Sequence, residues 1–567
     1  MENLPQHLQK YIVEQNYERY TPVDQAVWRY VLRQLKKFLS VHAHESYVEG
    51  LAKTGIEIEE IPRIENVSAK LEKFGWRALP VSGFIPPAAF MELQSLSILP
   101  IAADMRSIDH LTYTPAPDIV HEAAGHAPIL ANEKYANYLK QYAQVAKKAV
   151  LSKQDLDQYE AIRELSDIKE SPNSTSEAIA QSEEKLKSVS QKINFISEGA
   201  ELSRMNWWTA EYGLIKKGNE VKIFGAGLLS SVAESKWCLS DQVQKRPLTS
   251  DCVKQGYDIT EPQPQLFVAE SFEQLSIVLD DFSKTMAYKL GGVSALKKLV
   301  QAETVNTVQF ENDLQISGVL KNFKTDQEGN VSYVQFTGPT QLCYCDRQIG
   351  GHDSEYHKDG YGTPVGKIIN FNVDHLVLSQ KTELIYKSGV IVNGVLHKIA
   401  KLSTKANILT FSEATCSFQN EILFKPEWGH FDILIVDDVT SGFGGPADRL
   451  AYGQLEDFAA SRISLPNYSA EQLKTFSYYQ SVRDFRQNKN STEAEFKELF
   501  LKISQNAESE WLLFVELMEI SHLRSFSAEF SKLILFHLEK LKKQNSKNKS
   551  LIDEGLSLAQ ENLYASH

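Results

Sequence analysis

A pair of histidines set among prolines constrains this chain more than any other feature: Tyr113-Thr-Pro-Ala-Pro-Asp-Ile-Val-His121-Glu122-Ala-Ala-Gly-His126-Ala-Pro128. Pro115 and Pro117 suit a helix start, whereas Gly125 and Pro128 favour a stop just after His126. The stretch therefore reads as a short helix carrying two imidazoles. Neutral imidazole binds zinc, copper, iron and nickel, which makes the pair a candidate metal site. Its spacing excludes one class of site. Metalloprotease His-Glu-x-x-His motifs hold their histidines at i and i+4, about 40° apart. Here the separation is 126 − 121 = 5, about 140° apart on an ideal α-helix. Convergence would need His126 on a fraying last turn, with Pro128 turning Ala127 out of the α region. Taken alone, the pair is as readily two ordinary helix histidines.

Downstream, Asn206-Trp207-Trp208-Thr209-Ala210-Glu211-Tyr212-Gly213-Leu214 sets one acid in an aromatic, apolar run. A carboxylate there must be paired, metal-bound or protonated. Two histidines and one carboxylate with positions left open form the facial triad of non-haem Fe(II) oxygenases. With these residues in view, the chain resembles the tetrahydropterin-dependent aromatic amino-acid hydroxylases. The resemblance rests on Tyr113–Asp118 with His121-Glu122 and Gly125-His126; on Trp207, Thr209, Glu211 and Gly213-Leu214; on Gly225-Ala-Gly-Leu-Leu-Ser-Ser231; and on Val268-Ala-Glu-Ser-Phe272. These blocks occur in family order over about half the chain.

The resemblance implies a metal set of His121, His126 and Glu211 holding Fe(II), with tetrahydrobiopterin or another tetrahydropterin as reductant and O2 as co-substrate. It implies substrate contacts at Arg106, Thr114, Pro117, Trp207, Gly227, Ser230 and Ile259, and pterin contacts at Gly83, Ile85, Phe90 and Glu122. Arg106 suits a carboxylate because its fork donates two parallel hydrogen bonds, and Asp118 is placed to orient it. Gly83 would let the backbone approach a flat ring stacked on Phe90. Trp207 would give the substrate ring a flat wall, and Gly225-Ala-Gly227 would let the backbone come close to it. Two departures stand out. Pro86-Pro87 replaces serines found in animal members, and Asn206 stands where a tyrosine is usual. At Ile259 an apolar side chain offers nothing to a phenolic hydroxyl, which favours L-phenylalanine over tyrosine. The implied reaction is conversion of L-phenylalanine to L-tyrosine. The rivals are a tryptophan or broad-specificity hydroxylase, a zinc hydrolase using Glu122 as base, and a non-catalytic binding scaffold. The chain begins almost at the catalytic part, so regulation through a preceding ligand-binding domain is not expected.

The rest of the chain sets the frame. Its 567 residues allow several domains. A net charge of −13 argues against nucleic acid and acidic membranes as partners. No window approaches a transmembrane span, and the first residues lack a signal sequence. Five cysteines then suggest free thiols in a reducing cytoplasm. The expected fold class is multidomain α+β: a mainly α catalytic domain over 1–300, a β-rich domain over 301–446 and a helical C-terminal region over 447–567. Val27, Tyr30, Val31 and Leu35 form a helical stripe near the start. Gln154 to Lys192, split by Ser171-Pro-Asn-Ser-Thr-Ser176, reads as an inserted helical hairpin (about 152–194). Val308 to Val439 alternates like strands and is expected to form a compact β-rich domain such as a small barrel. Ser317-Gly-Val-Leu and Ser388-Gly-Val-Ile echo one another, as a duplicated unit would. Cys343-Tyr-Cys345 with His352, Asp353 and His357 lacks zinc spacing and reads as a loop. Gly442-Phe-Gly-Gly445 reads as a turn, and Lys540–Lys549 as a solvated linker. The apolar tail helices need a partner surface: the β domain or a second copy in a homo-oligomer.

Overall fold

A computed structural model describes residues 4–83, 85–111, 117–170, 175–259, 261–453, 467–488 and 490–560. Tyr113, Thr114 and Pro115 lie outside the described residues, as does the Ser171–Ser174 break. The fold is mixed helix and sheet with a helical C-terminal region.

The helix Pro22–His42 begins with a reciprocal cap. Asp24 N–H donates to the Thr21 hydroxyl, and Thr21 N–H donates back to the Asp24 carboxylate. Val27, Tyr30, Val31 and Leu35 are all buried on it. So are Arg29 and Arg33, which are rarely buried without partners. Their partners come from the other end of the chain. Glu519, on the tail helix Trp511–Leu523, pairs with Arg29 and, at 2.6 Å, with Arg33. Glu516 on the same helix takes Arg486 at 2.9 Å. Tyr30 adds a hydrogen bond to the Leu551 carbonyl (2.6 Å) and an edge contact to Trp511. The tail therefore shares the main core with the N-terminal helix and the metal-site segments. The stretch expected as a solvated linker is mostly helical, because Ala528–Gln544 runs into it and Lys549–Gln560 starts at its end. Leu541 is buried there, and Lys542 reaches Asp553.

The helices Lys153–Glu170 and Ser176–Gln191 pack antiparallel. Lys169 meets Glu183, Gln158 meets Ser190 and Gln154 meets Asn194, so the paired numbers sum to a near-constant value. Around the site lie small sheets. Strands β1 (Arg77–Val81) and β2 (Ile98–Ala102) pair in parallel. Strands β3 (Leu214–Lys217), β4 (Glu220–Ile223), β5 (Gln244–Pro247) and β6 (Gln265–Ala269) form a mixed sheet in the order β4-β3-β6-β5.

Beyond residue 304 come β7 (Val305–Phe310), β8 (Leu314–Thr325), β9 (Val331–Tyr344), β10 (Arg347–Gln348) and β11 (Gly360–Pro364). There follow β12 (Lys381–Ile385), β13 (Ile391–Lys401), β14 (Asn407–Phe418), β15 (Glu421–Phe424), β16 (Phe431–Leu434) and β17 (Val439–Gly444). Among the described residues they form two antiparallel sheets with separate apolar cores. One runs β10-β9-β8-β7-β17 with β11 on β9, and the other β12-β13-β14-β15 with β16 on β14. Neither path closes on itself as a barrel would. The Ser-Gly echo is not structural: Ser317 lies buried within β8, whereas Ser388 sits in the turn before β13. Gly442 and its neighbours form an edge strand rather than a turn, since a side chain at Gly442 would collide with Leu299. The edge strand anchors this region to the first half of the chain through Gly444 N–H and the Lys148 carbonyl (3.1 Å).

Candidate metal centre

His121 and His126 converge, but not on a fraying turn. Val120–His126 is wound as a π-helix, and Ala127 keeps right-handed helical angles (φ −62°, ψ −43°) with its N–H bonded to the Glu122 carbonyl five residues back. An i→i+5 ladder brings residues five apart onto one face. Nε2 of His126 thus lies 3.3 Å from Nε2 of His121. Helix continues through Ile129 in spite of Pro128. Proline cannot donate to the carbonyl four residues back, and the Tyr47 hydroxyl donates to that Ala124 carbonyl instead (2.9 Å). Gly50 lets the Tyr47 helix press this close, because a Cβ there would fall 2.0 Å from the Pro128 carbonyl oxygen.

The acid arrives on a second π segment, Trp207–Glu211, whose ladder shows in the Tyr212 N–H to Trp207 carbonyl bond (2.8 Å). Glu211 Oε2 lies 3.3 Å from His121 Nε2, and Oε1 lies 3.3 Å from His126 Nε2. Ligand atoms about 2.1 Å from one ion at roughly 100° to each other stand ~3.2 Å apart, so this spacing suits a single metal. Burial pushes the Glu211 carboxyl up, but the fields of His126 and His121 outweigh it and hold the group well below the usual range. The Asn206 amide also donates to Glu211 Oε1 (3.4 Å), a partner that the sequence did not disclose.

A surrounding hydrogen bond fixes the His121 ring, whereas His126 Nδ1 is buried without a hydrogen-bond partner. The Ser230 hydroxyl donates to the Ala226 carbonyl (2.8 Å), so it accepts from His121 Nδ1 (3.0 Å). That assigns the proton to Nδ1 and leaves the Nε2 lone pair facing Glu211. Asp118 accepts the His121 backbone N–H (3.0 Å) and grips Arg106 through Nε (2.7 Å) and a terminal nitrogen (2.8 Å). The other terminal nitrogen of Arg106 donates to the Ser230 carbonyl (3.3 Å). Arg106, Asp118, His121 and Ser230 are therefore one connected unit. Gly225 and Gly227 serve that packing: a Cβ on Gly225 would lie 2.4 Å from the Glu211 carbonyl oxygen, and one on Gly227 2.9 Å from the Tyr212 ring.

Glu122 points into the same region. Burial pushes its carboxyl up to about 8, opposed by His126 and reinforced by Glu211 and Asp118, and its Oε2 has no hydrogen-bond partner. Trp207 stacks on Tyr257 (4.2 Å, 8°) and Tyr212 (4.4 Å, 22°), so rings of the chain itself engage its flat surface. Pro117 directly precedes Asp118 in the loop, and Ile259 is partly exposed in the loop after Tyr257. Gly83 has a left-handed φ of 53°, with its N–H on Asp104 (3.1 Å). Ile85 and Phe90 pack with Leu8, Val81 and Leu93 in a small cluster separate from the core that holds His121 and Glu211.

Fold and site together bring two histidines and one carboxylate, carried on two π-wound segments, into a cluster that could hold a metal ion. Residues 10–159 and 178–328 match the family described as biopterin-dependent aromatic amino acid hydroxylase, and the chain belongs to that family of pterin-dependent monooxygenases. The unmatched gap falls within the paired helices described above. The chain is 30% identical to phenylalanine-4-hydroxylase of Mesorhizobium japonicum over 269 residues, 47% of this chain and 81% of that protein. It is 30% identical to phenylalanine-4-hydroxylase of Bos taurus over 279 residues, which spans only 51% of that longer protein. Among solved structures, Chromobacterium violaceum phenylalanine hydroxylase with bound iron(III) and 7,8-dihydrobiopterin aligns with a TM-score of 0.39 and 24% identity, covering 48% of this chain and 85% of that one. All five cysteines are free, and no helix among the described residues is long and apolar enough to cross a membrane.

Proposed function

We propose that this chain is a phenylalanine 4-monooxygenase, converting L-phenylalanine to L-tyrosine with O2 and a tetrahydropterin at a non-haem Fe(II). The observation that carries the proposal is the meeting of His121, His126 and Glu211, with ligand atoms 3.3 Å apart. When bound, iron and reduced pterin supply the electrons and the oxygen activation that no side chain can. The protein's own part is positional. Ser230 fixes the His121 tautomer, Asp118 fixes where the π segment starts, and Asn206 steadies the carboxylate. Asp118 occupies two edges of the Arg106 guanidinium, which leaves its Ser230-facing nitrogen to meet a substrate carboxylate in the role assigned to Arg106. Glu122, whose carboxyl burial pushes up to about 8, carries an unpartnered oxygen suited to a pterin ring nitrogen. Gly83, Ile85 and Phe90 complete the pterin assignment. Thr114, Pro117, Trp207, Gly227, Ser230 and Ile259 complete that for the substrate.

The proposed division of the chain is a catalytic domain over 1–300, a β-rich domain over 301–446 and a helical region over 447–567, in a cytoplasmic protein. Phe536, 75% exposed beside Leu533 and Leu535, supports self-association of the helical region; sedimentation velocity would test it. The activity is tested by supplying Fe(II) and tetrahydropterin, offering phenylalanine, tyrosine and tryptophan separately, and identifying products after an oxygen pulse. Tyrosine formed from phenylalanine is the expected result. Preferred turnover of tryptophan, or none at all with iron retained, would overturn the assignment.

A further inference from the structure

A second His-x4-His pair closes on itself in the loop between β10 and β11. His352 Nδ1 lies 3.2 Å from His357 Nε2, with the rings stacked 5.4 Å apart at 18°. Asp432 of β16 joins them, and the ligand atoms of all three lie within 4.8 Å of one another. The three residues are 5%, 8% and 4% exposed. The segment read from sequence as a loop without zinc spacing thus gathers its histidines, while its cysteines take no part: Cys343 bonds to Gln341, and Cys345 is exposed.

The loop is built to hold this arrangement. Asp353 Oδ1 accepts the N–H groups of Glu355 (3.1 Å) and Tyr356 (2.8 Å), and its carbonyl accepts that of His357, which winds the chain once between the two rings. β9 then pins both ends. Leu342 N–H donates to the His352 carbonyl (3.0 Å) and Thr340 N–H to that of His357 (3.2 Å). On the acid side, the Thr410 hydroxyl donates to Asp432 Oδ1 (2.5 Å) and the Tyr356 hydroxyl to Oδ2 (3.1 Å). Hydroxyls on a ligand carboxylate are the outer contacts that orient metal ligands.

Three buried donors from two sheets meet at one point, and among the described residues their own surroundings offer the acid no cation. Among the described residues Asp432 makes no salt bridge, and Lys398, the cation whose field reaches His352, lies on the exposed side of β13. A buried carboxylate without a counter-charge is costly, and a cation bound by two neutral imidazoles and that carboxylate removes the cost. We propose that His352, His357 and Asp432 bind a divalent first-row transition ion, zinc by preference for this N,N,O donor set. The ion staples the two sheets, because the histidine loop hangs from β9 of one and Asp432 belongs to the other.

The full-length chain, stripped with a chelator and reloaded with Co2+ as a spectroscopic probe, is expected to bind two equivalents. Glu211→Gln should lose one and keep the visible absorption of the other. Asp432→Asn and His357→Gln should each lose the one that Glu211→Gln keeps. Adding Zn2+ to Glu211→Gln should slow proteolytic cutting within residues 345–435 at least tenfold. One equivalent in the wild-type chain, abolished by Glu211→Gln, overturns the proposal without recourse to the loop variants. Two equivalents insensitive to both Asp432→Asn and His357→Gln overturn it as well. The count does not depend on what the first centre catalyses.

Discussion

Replacing Glu519 by glutamine tests how the tail is held. Glu519 faces Arg29 and Arg33 in a setting where the three side chains are 6%, 3% and 8% exposed. Burial pushes the Glu519 carboxyl up, but Arg29, Arg486 and Arg33 together hold it at about 2 against an ordinary value of 4.5. A displacement of that size corresponds to about 3 kcal/mol. The cost of breaking one side of a buried ion pair, about 3–5 kcal/mol, agrees at its lower end. The lower end is appropriate because Arg29 keeps Glu59 at 2.7 Å and Arg33 keeps the Leu558 carbonyl at 2.9 Å. Glu519→Gln should therefore raise local opening of Trp511–Leu523 and Lys549–Gln560 by about 100-fold at pH 7. Peptide-resolved hydrogen exchange reads this without requiring the whole chain to unfold in one step. The sign with pH follows from the depressed value. The stabilisation is complete above about pH 4.5 and disappears as pH falls through about 2, so wild type and variant should converge in acid. Unchanged protection of 511–523 at pH 7, or a difference that persists undiminished to pH 2, would refute the reasoning.

Ser230→Ala removes the acceptor on His121 Nδ1 and should weaken iron binding about 10–100-fold, with Ser230→Thr retaining most of it; iron dissociation followed with a chelator measures both. Asp118→Asn leaves the buried Arg106 guanidinium short of a counter-charge and should cost about 3–5 kcal/mol, visible as a lowered midpoint of thermal unfolding. Gly225→Ala drives a methyl against the Glu211 carbonyl and Gly213 nitrogen, both 2.4 Å away. It should cost about 1–3 kcal/mol and lower the iron content of purified protein, whereas Gly256→Ala, with open space around it, should do neither.

Some of this could be read from residue types, and some could not. The triad was visible as two imidazoles and an acid confined in an apolar run, because such an acid needs a reason to be there. How the imidazoles meet was hidden. An α-helical count sets residues five apart on diverging faces, and no side chain announces that the ladder has shifted to i→i+5. Pro128 was read as a stop because the donor that replaces its missing one on the Ala124 carbonyl is the Tyr47 hydroxyl, 77 residues before that carbonyl. The stripe Val27, Tyr30, Val31 and Leu35 marked one buried face of the first long helix, but nothing nearby in the sequence places Arg29 and Arg33 inside as well. Their shared partner, Glu519, lies 490 residues beyond Arg29, a separation at which local pattern carries no information. Trp207 shows the converse: the residue stood out, yet its stacking on Tyr257 and Tyr212 depends on tertiary packing.

Taken as spacing alone, His-x4-His has no fixed geometry, and this chain builds it twice by different means. At His121 and His126 the backbone is regular but underwound, so the pair is held by a continuous ladder, and the acid comes from another segment wound the same way. At His352 and His357 there is no helix. An aspartate-centred turn bends the loop, two amides of β9 hold its ends, and the acid comes from the facing sheet. In both, the acid is far away in sequence, 85 residues on for Glu211 and 75 for Asp432. In both, it is a lone acid in an apolar run: Trp207-Trp208-Thr209-Ala210-Glu211 and Phe431-Asp432-Ile433-Leu434. The physical signal common to the two is therefore the confined carboxylate rather than the histidine spacing, since only a buried negative charge obliges the fold to bring a cation or its equivalent to that point.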